Sequence, residues 1–292
     1  MVAVMKFGIM FANTGHGSSP AGATAVATAA EAGGFEAIWT VEHVVVPSGY
    51  ESQYPYDPSG KMAGGAEEFD LPDPLIWLTW VAAHTTRIKL ATGILIVPQR
   101  NPVITAKELA TLDHLSGGRL VLGVGAGWLA EEFAALNASF GDRGRRLDEY
   151  VAIMRALWSG EKTTFSGEFF DFENCISLPR PVNGTIPVIV GGHSPAAAKR
   201  AGRIGDGFFP GSASAPEIAE MITLVRRTAE DNGRDPDTIE MIAGAGAPPG
   251  PKLDARIEQL AAIGVTHAIV PTFRPDSLAE IGQSLNATYG AA

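Results

Sequence analysis

The chain has 292 residues, a formal net charge of −10, 46% hydrophobic residues and 18% charged residues. This composition is typical of a soluble, well-packed globular protein and excludes an intrinsically disordered one. The acidic balance argues against a nucleic-acid backbone as the main partner, although local dipoles and a few arginines are enough to bind a small anion.

Cysteine usage and hydropathy bear on the compartment. Cys175 is the only cysteine, so no intrachain disulfide forms, which fits a reducing compartment, and we expect the cytoplasm. The apolar N-terminus lacks the hydrophobic segment and small-residue cleavage site of a signal peptide, so we expect none. No apolar run reaches about 18 residues, so we also expect no membrane span.

Short apolar, β-branched runs alternate along the chain with Ala-rich stretches of helical period. They predict strand 4–11, helix 20–33, strand 35–40, helix 73–84, strand 88–97, helix 102–116, strand 119–125 and helices 128–136 and 143–158. Residues 163–177 switch to a period of two around Ser166-Gly167, which predicts an inserted β-hairpin. The alternation resumes with strand 187–191, helix 195–204, strand 206–210, helix 215–232, strand 238–243, helix 253–263, strand 266–271 and helix 276–287.

Eight strand–helix units in a chain of this length predict a (β/α)₈ barrel, the TIM barrel of the α/β class. A doubly wound parallel sheet is the alternative, but the first turn, residues 12–19, does not match GxGxxG. The chain has no internal repeat and no low-complexity linker, so we expect one domain over residues 1–292.

In such a barrel, functional residues lie on the loops after the carboxyl ends of the strands. The longest of these loops, residues 44–72, follows the second strand and carries Tyr50, Tyr54, Tyr56, Met62 and Phe69. Loops of this length are usually functional lids or disordered inserts. The aromatic content favours a lid over an apolar or aromatic ligand.

Histidine and glycine mark the ends of strands two to four. His43 directly follows strand two, a position that suits proton transfer, and the adjacent Glu42 could orient His43 or tune its pKa. The alternative is that His43 only forms a hydrogen bond to the lid. Gly93 interrupts strand three, which is typical of a bulge, of close backbone approach to a ligand, or of simple packing. Strand four ends in alternating glycines, Gly123-Val124-Gly125-Ala126-Gly127, directly before Trp128. Without side chains on one face, this backbone allows a flat ring or a phosphate to approach closely. A tight turn is the alternative interpretation of the same glycines.

Strand five ends Gly191-Gly192-His193-Ser194-Pro195, directly before a predicted helix. Backbone N–H groups at a helix N-terminus and a serine hydroxyl favour phosphate binding over an ordinary capped helix. The six histidines are scattered, with no HExxH or CxxC spacing, and there is no GxSxG motif. We therefore expect no metal site, and a barrel that holds a flat, phosphorylated cofactor.

Four stretches resemble the bacterial luciferase-like superfamily, and within it the branch of coenzyme F420-dependent oxidoreductases. They read GFEAIWTVEH, RIKLATGILIVPQRNPVITAKELATLDHLSGGRLVLGVGAGWLAEEF, RGRRLDEYVAIMRALWSG and GTIPVIVGGHSPAAAKRAGRIGDGFFP. The resemblance implies a luciferase-like (β/α)₈ barrel that binds F420 or FMN, in most cases as a homodimer. It further implies a cis peptide between Gly93 and Ile94 that bulges against the cofactor ring, and a catalytic or ring-contacting role for His43.

The candidate residues follow from these observations together. His43, tuned by Glu42, is the catalytic candidate, and the cofactor-binding candidates are Thr92, Gly93, Ile94, Gly125, Gly127, Trp128, Gly191, Gly192, His193 and Ser194. One departure from the branch is Trp128, because some F420-dependent dehydrogenases have an acidic proton donor after the strand-four glycines. Sugar-phosphate dehydrogenase chemistry is therefore not carried over to this chain.

The leading hypothesis is an F420-dependent oxidoreductase that moves a hydride between the deazaflavin and a small organic substrate, for which the cofactor supplies the chemistry. An FMN-dependent monooxygenase on the same scaffold is the first alternative. A non-catalytic flavin or deazaflavin carrier is the second, and bound reduced cofactor that oxidises no added substrate would favour it.

Overall fold

The computed structural model describes residues 5–211 and 213–290. Within them the strands are β1 (Lys6–Met10), β2 (Ala37–Thr40), β3 (Lys89–Thr92), β4 (Leu95–Ile96), β5 (Leu120–Gly125), β6 (Thr163–Ser166), β7 (Asp171–Cys175), β8 (Val188–Gly191), β9 (Gly207–Phe209), β10 (Glu240–Gly244) and β11 (His267–Pro271). The helices are α1 (Pro20–Ala32), α2 (Pro74–Ala82), α3 (Pro102–Ser116), α4 (Ala130–Ala135), α5 (Arg143–Trp158), α6 (Pro195–Ile204), α7 (Ala215–Asp231), α8 (Pro251–Ala262) and α9 (Pro275–Tyr289). Val4, in the first predicted strand, and the outer ends of the predicted domain lie outside the described residues.

The strands close into a parallel barrel with eight positions, in the order β1-β2-β3-β5-β8-β9-β10-β11, and β11 pairs back to β1. Strands β3 and β4 share one position, since both pair with β5. The predicted strand 88–97 is thus divided at Gly93-Ile94, whose peptide bond is cis, as the resemblance implied. The (β/α)₈ barrel is confirmed, and the doubly wound alternative is wrong because an open sheet does not pair its first and last strands.

Helices α1, α2, α3 and α6 each begin where a capping side chain precedes a proline. The carboxylate of Asp73 accepts the N–H groups of Leu75 and Ile76 at the start of α2, and Asn101 caps α3 in the same way. Proline at the first helical position loses no hydrogen bond there, and its fixed φ suits the helix. These local signals explain why the predicted helix boundaries agree with the structure to within a few residues.

The predicted hairpin is the antiparallel pair β6–β7 between α5 and β8. Its turn is held on α5 by the carboxylate of Glu149, which accepts the N–H groups of residues 168–170. Phe170 packs edge-on against Tyr150 at a centroid distance of 5.3 Å. The hairpin therefore extends the outer layer and leaves the barrel closed.

Apolar side chains form two layers. A large cluster fills the space between the barrel and its helices, while the smaller interior cluster fills the barrel with Ala37, Trp39, Ala91, Ile189, Phe209, Ile242 and Ile269. Among residues 5–211 and 213–290, no helix is both long and apolar enough to cross a bilayer. The barrel interior is a packed core.

One histidine is buried in that interior. His267 is 2% exposed and lies edge-on to Trp39, at a centroid distance of 6.0 Å. Burial lowers the pKa of His267 to about 4. The negative charges of Glu240 and Glu36 raise this pKa by a smaller amount, and the positive charges of Lys6 and Lys89 lower it further. His267 is therefore neutral in the folded protein at neutral pH.

We expect acid to destabilise the protein through this histidine. The unfolded chain binds a proton on His267 below its ordinary pKa of 6.5, whereas the folded chain does so only near pH 4. The free energy of unfolding should therefore fall across this window, by about 3 kcal/mol for this group. Urea unfolding at pH 7.5 and pH 4.5 measures it: His267→Leu should remove that part of the loss, and His114→Gln, at an exposed histidine, should not. Equal losses in the parent and His267→Leu would contradict the assignment.

Candidate active site

A cavity of about 1180 Å³ opens at the carboxyl ends of the barrel strands. Its wall includes eleven of the predicted residues: Glu42, His43, Gly93, Ile94, Gly125, Gly127, Trp128, Gly191, Gly192, His193 and Ser194. Thr92 is not part of this wall. It is fully buried, and its hydroxyl donates a hydrogen bond of 2.8 Å to the carbonyl of Gly123, so it joins two strands behind the cavity.

The partner of His43 is Glu132. Nδ1 of His43 lies 2.9 Å from one carboxylate oxygen of Glu132, and the other oxygen accepts the N–H of Val44 at 2.6 Å. The Glu132 side chain has no exposed surface. Since a carboxylate only accepts, the proton sits on Nδ1, and Nε2 is the ring nitrogen available to the cavity.

Glu42 does not tune His43, so the predicted pairing of these neighbours is wrong. Successive side chains on extended backbone point to opposite sides, and Glu42 turns away from His43 into the protein. Its carboxylate accepts the N–H of Ile96 and pairs with the Arg100 guanidinium. Burial raises the pKa of Glu42, while Arg100 pulls in the other direction.

Two of the glycines at the strand ends make room for the same side chain, Ile94. A Cβ on Gly125 would lie 2.3 Å from Cδ1 of Ile94, and a Cβ on Gly191 would lie 2.5 Å from its Cγ2. On strand four the predicted bare backbone is therefore covered by Ile94 at Gly125, whereas Gly127 makes room for Ile96 and Phe133. A flat ligand on this wall would contact Ile94 together with the flanking glycines that line the cavity.

The α6 side of the cavity combines a helix N-terminus with an arginine. Gly192, at φ 122°, leads to Ser194, whose side chain caps α6 by accepting the N–H of Ala197 at 3.2 Å. Arg143 also lines this side, donates to the carbonyls of Gly127 and Phe140, and forms no ion pair with a described carboxylate. Gly192, Ser194 and Arg143 are together called the anion end below.

The predicted lid, residues 44–72, lines the cavity with residues 53–56, 62 and 69–71 and carries a chain of aromatic contacts. Trp128 lies edge-on to His43 at 5.6 Å and to Tyr54 at 5.2 Å, and Tyr54 contacts Tyr56 at 5.4 Å. Tyr56 then meets His193, at 4.9 Å between ring centroids. The aromatic chain thus spans the cavity from the catalytic candidate to the anion end.

Two carboxylates of α4 fasten the lid. Glu131 accepts the N–H groups of Glu51 and Ser52 at 2.7 and 3.0 Å, and Glu132 accepts those of Val44 and Val45. Hydrogen bonding by the Ser52 side chain, and then by the N–H groups of Glu51 and Ser52, lowers the pKa of Glu131 to about 2. The same helix therefore positions the lid and His43.

Sequence reasoning missed Glu132, Arg143 and Arg100. Glu132 contacts His43 across 89 positions of chain, so no local pattern joins them. A usable signal was present nonetheless, since acidic residues at 131 and 132 follow strand four, at the same mouth of the barrel as His43.

The chain resembles known proteins in sequence and in fold. The family model described as luciferase-like monooxygenase matches residues 5–284. An F420-dependent glucose-6-phosphate dehydrogenase from Kineococcus radiotolerans is 32% identical over 220 residues, which cover 73% of this chain and 60% of that enzyme.

Two solved structures share the architecture. An F420-dependent secondary alcohol dehydrogenase in complex with an F420-acetone adduct has a TM-score of 0.78 at 18% identity, covering 99% of this chain and 100% of that one. A monooxygenase from Streptomyces bottropensis has a TM-score of 0.76 at 24% identity, covering 98% of each chain. At these identities the likeness concerns the fold.

Proposed function

The chain belongs to the luciferase-like monooxygenase family, and we propose that it is an F420-dependent oxidoreductase acting on a small organic substrate. The observation that carries this proposal is the cavity of about 1180 Å³, with an anion end at α6 and His43 in the same wall. The names of the dehydrogenase relative and of the dehydrogenase structure, both F420-dependent, support the choice of cofactor.

The residues present fit a large, flat, phosphorylated cofactor. A phosphate needs N–H donors and positive charge, and the anion end offers the first turn of α6 together with an arginine that no described carboxylate neutralises. Ile94 and the flanking Gly125 and Gly191 would support one face of the ring. When bound, F420 supplies or accepts a hydride at C5 of its deazaflavin ring.

His43 would handle the proton that accompanies the hydride. Reduction of a carbonyl or activated alkene consumes one hydride and one proton, which Nε2 of His43 would give from the imidazolium form while Nδ1 stays bonded to Glu132. In the reverse direction the unprotonated Nε2 would take the proton. Glu132 would act as a positioning residue by holding the proton on Nδ1 through its bond of 2.9 Å. The ordered lid would exclude water from the site.

Introducing a negative charge at Ser194 tests the anion end. Aspartate caps helices as well as serine does, so Ser194→Asp should fold normally but place a negative charge where the phosphate would bind. We expect the dissociation constant for F420, measured by fluorescence quenching, to rise at least about 100-fold. Ser194→Asn, a neutral cap of the same shape, is the matched control and should stay within about tenfold of the parent.

Parallel titration with FMN separates the alternatives. Tight FMN binding without F420 binding would favour the monooxygenase hypothesis, to which the structural likeness to a monooxygenase also points. Bound reduced F420 that oxidises none of a panel of enones and quinones would favour the carrier. Equal affinity of the Ser194→Asp and Ser194→Asn variants for the cofactor would show that the phosphate binds elsewhere.

Assembly as a cytoplasmic homodimer is part of the same proposal. Ile76 and Trp80 of α2 are 74% and 46% exposed, and Ile104 of the adjacent α3 is 59% exposed. Neighbouring exposed apolar side chains of this size are typical of protein interfaces. The molar mass in solution, from light scattering, distinguishes a dimer from a monomer.

A further inference from the structure

The cationic side chains of the cavity wall lie at one end. Within residues 5–211 and 213–290, the cations in its wall are Arg143 and Arg200, both on the α5–α6 side. Arg200 is already paired with Asp148 at 2.5 Å. On the β1 side, which lies across the barrel from β8, the wall includes the apolar side chains of Phe11, Phe69 and Leu71 beside Thr14, Ser18 and Asp70. Phe11, Phe69 and Leu71 are called the apolar end below.

Phe11 is held in an unusual conformation. Its φ is +62°, in the left-handed region that bulky residues rarely adopt, and 48% of the residue is exposed although its side chain is apolar. Non-glycine residues in this region cluster at functional sites, where the surrounding structure imposes the conformation. The ring of Phe11 therefore faces open space where folding alone would favour glycine or asparagine.

The neighbours of Phe11 show how this conformation is imposed. The hydroxyl and N–H of Thr14 both donate to the Phe11 carbonyl, at 2.8 and 3.1 Å. Asn13 is fully buried, and its amide nitrogen donates to the carbonyls of Val41 and Pro72 at 2.9 and 3.0 Å. The loop after β1 is thereby tied both to the strand that leads to His43 and to the lid segment that carries Phe69.

We propose that Phe11 is a substrate-contacting residue and that the substrate is an uncharged molecule with a flat, conjugated ring. This inference rests on the proposed function, because it assigns the anion end to the cofactor and the apolar end to the substrate. Aromatic side chains give flat rings both a large contact area and a preferred stacking geometry. A sugar phosphate does not fit, because its phosphate would lose its hydration at the apolar end without a cation to replace it.

Menadione, a flat uncharged quinone, is the probe, and its binding to the cofactor-free protein is read from quenching of tryptophan fluorescence. We expect saturable binding to the parent, no displacement of menadione by glucose 6-phosphate, and at least a tenfold rise in the dissociation constant for menadione in Phe11→Gly. Phe11→Leu, which keeps an apolar side chain of similar reach, should fall between the two. The dissociation constant of F420 should stay within about twofold in both variants.

Thermal melting separates a contact role from a folding role. Glycine adopts φ of +62° without steric penalty, so Phe11→Gly should melt no lower than the parent while it loses menadione. Unchanged menadione affinity in Phe11→Gly, or displacement of menadione by glucose 6-phosphate, would overturn the inference. An equal loss of F420 and menadione affinity would also overturn it, by placing Phe11 in the cofactor site. If the parent binds menadione but neither F420 nor FMN, the proposed function fails while the contact role of Phe11 stands.

Discussion

Replacing His43 with alanine is expected to lower turnover by about 10²–10⁴-fold, the usual contribution of a positioned general acid or base. The reason is that Nδ1 is engaged by Glu132, which leaves Nε2 as the ring nitrogen for proton transfer in the cavity that His43 lines. Affinity for F420 should fall only modestly, because the anion end lies at a different helix. Oxidation of reduced F420 against a panel of enones and quinones measures turnover, and fluorescence quenching measures binding.

Glu132→Gln provides the matched test of positioning. A glutamine keeps an acceptor for the N–H of Val44, which now bonds Glu132 at 2.6 Å, but can present an N–H group to Nδ1 and so favour the wrong tautomer. We expect a loss of turnover of about 10–10³-fold with a changed pH profile and an unchanged melting temperature. If His43→Ala keeps its turnover and loses its cofactor affinity, His43 is a binding residue and the proton comes from water or substrate.

The fold was predictable because its signals are local. Helix α3 runs from Pro102 to Ser116, as predicted, because Asn101 caps one end and Gly117, at φ 74°, ends the other. The period-two pattern located the hairpin for a similar reason, since cross-strand pairing requires it. Periodicity alone would have joined β3 to β4, and the cis peptide at Gly93-Ile94 was expected only from the family resemblance.

The candidate site was predictable in position but not in its pairings. Strand ends in a parallel barrel meet at one mouth, so His43 and Gly192 were expected near each other. Which groups contact each other depends on side-chain direction and on residues far away in the chain. Glu42 is adjacent to His43 in sequence yet bonds Arg100, and Glu132 lies 89 positions from His43 yet bonds it.

Replacing Arg100 is expected to have the largest effect on the stability of the protein. Its guanidinium donates through Nε to Glu42 at 2.9 Å and reaches Asp73 at 3.0 Å, and only 17% of its side chain is exposed. Removing one member of a buried ion pair leaves the other charge without compensation. We therefore expect Arg100→Met to lower the free energy of unfolding by about 3–5 kcal/mol.

Two controls separate the buried charge from lost packing. Asp73 is the exposed member of the cluster, and Asp73→Asn keeps the cap of α2, so it should cost less than about 1 kcal/mol. In the double variant Glu42→Gln/Arg100→Met, the glutamine still accepts the N–H of Ile96 and no charge is left buried. This double variant should therefore be more stable than Arg100→Met alone.

The cost of Arg100→Met should also depend on pH. Burial already raises the pKa of Glu42 above its ordinary 4.5, and the loss of Arg100 removes the main opposing pull. An acid whose pKa is higher in the folded than in the unfolded state destabilises the protein when the pH lies above both values, and this penalty disappears as pH falls through them. Guanidinium chloride unfolding of both proteins at pH 7 and pH 5 should therefore give a smaller difference at pH 5. Because His267 titrates alike in parent and variant, its contribution to the free energy of unfolding cancels from that difference. If the destabilisation by Arg100→Met instead grows towards acid pH, Glu42 is not the buried group that is left without a partner.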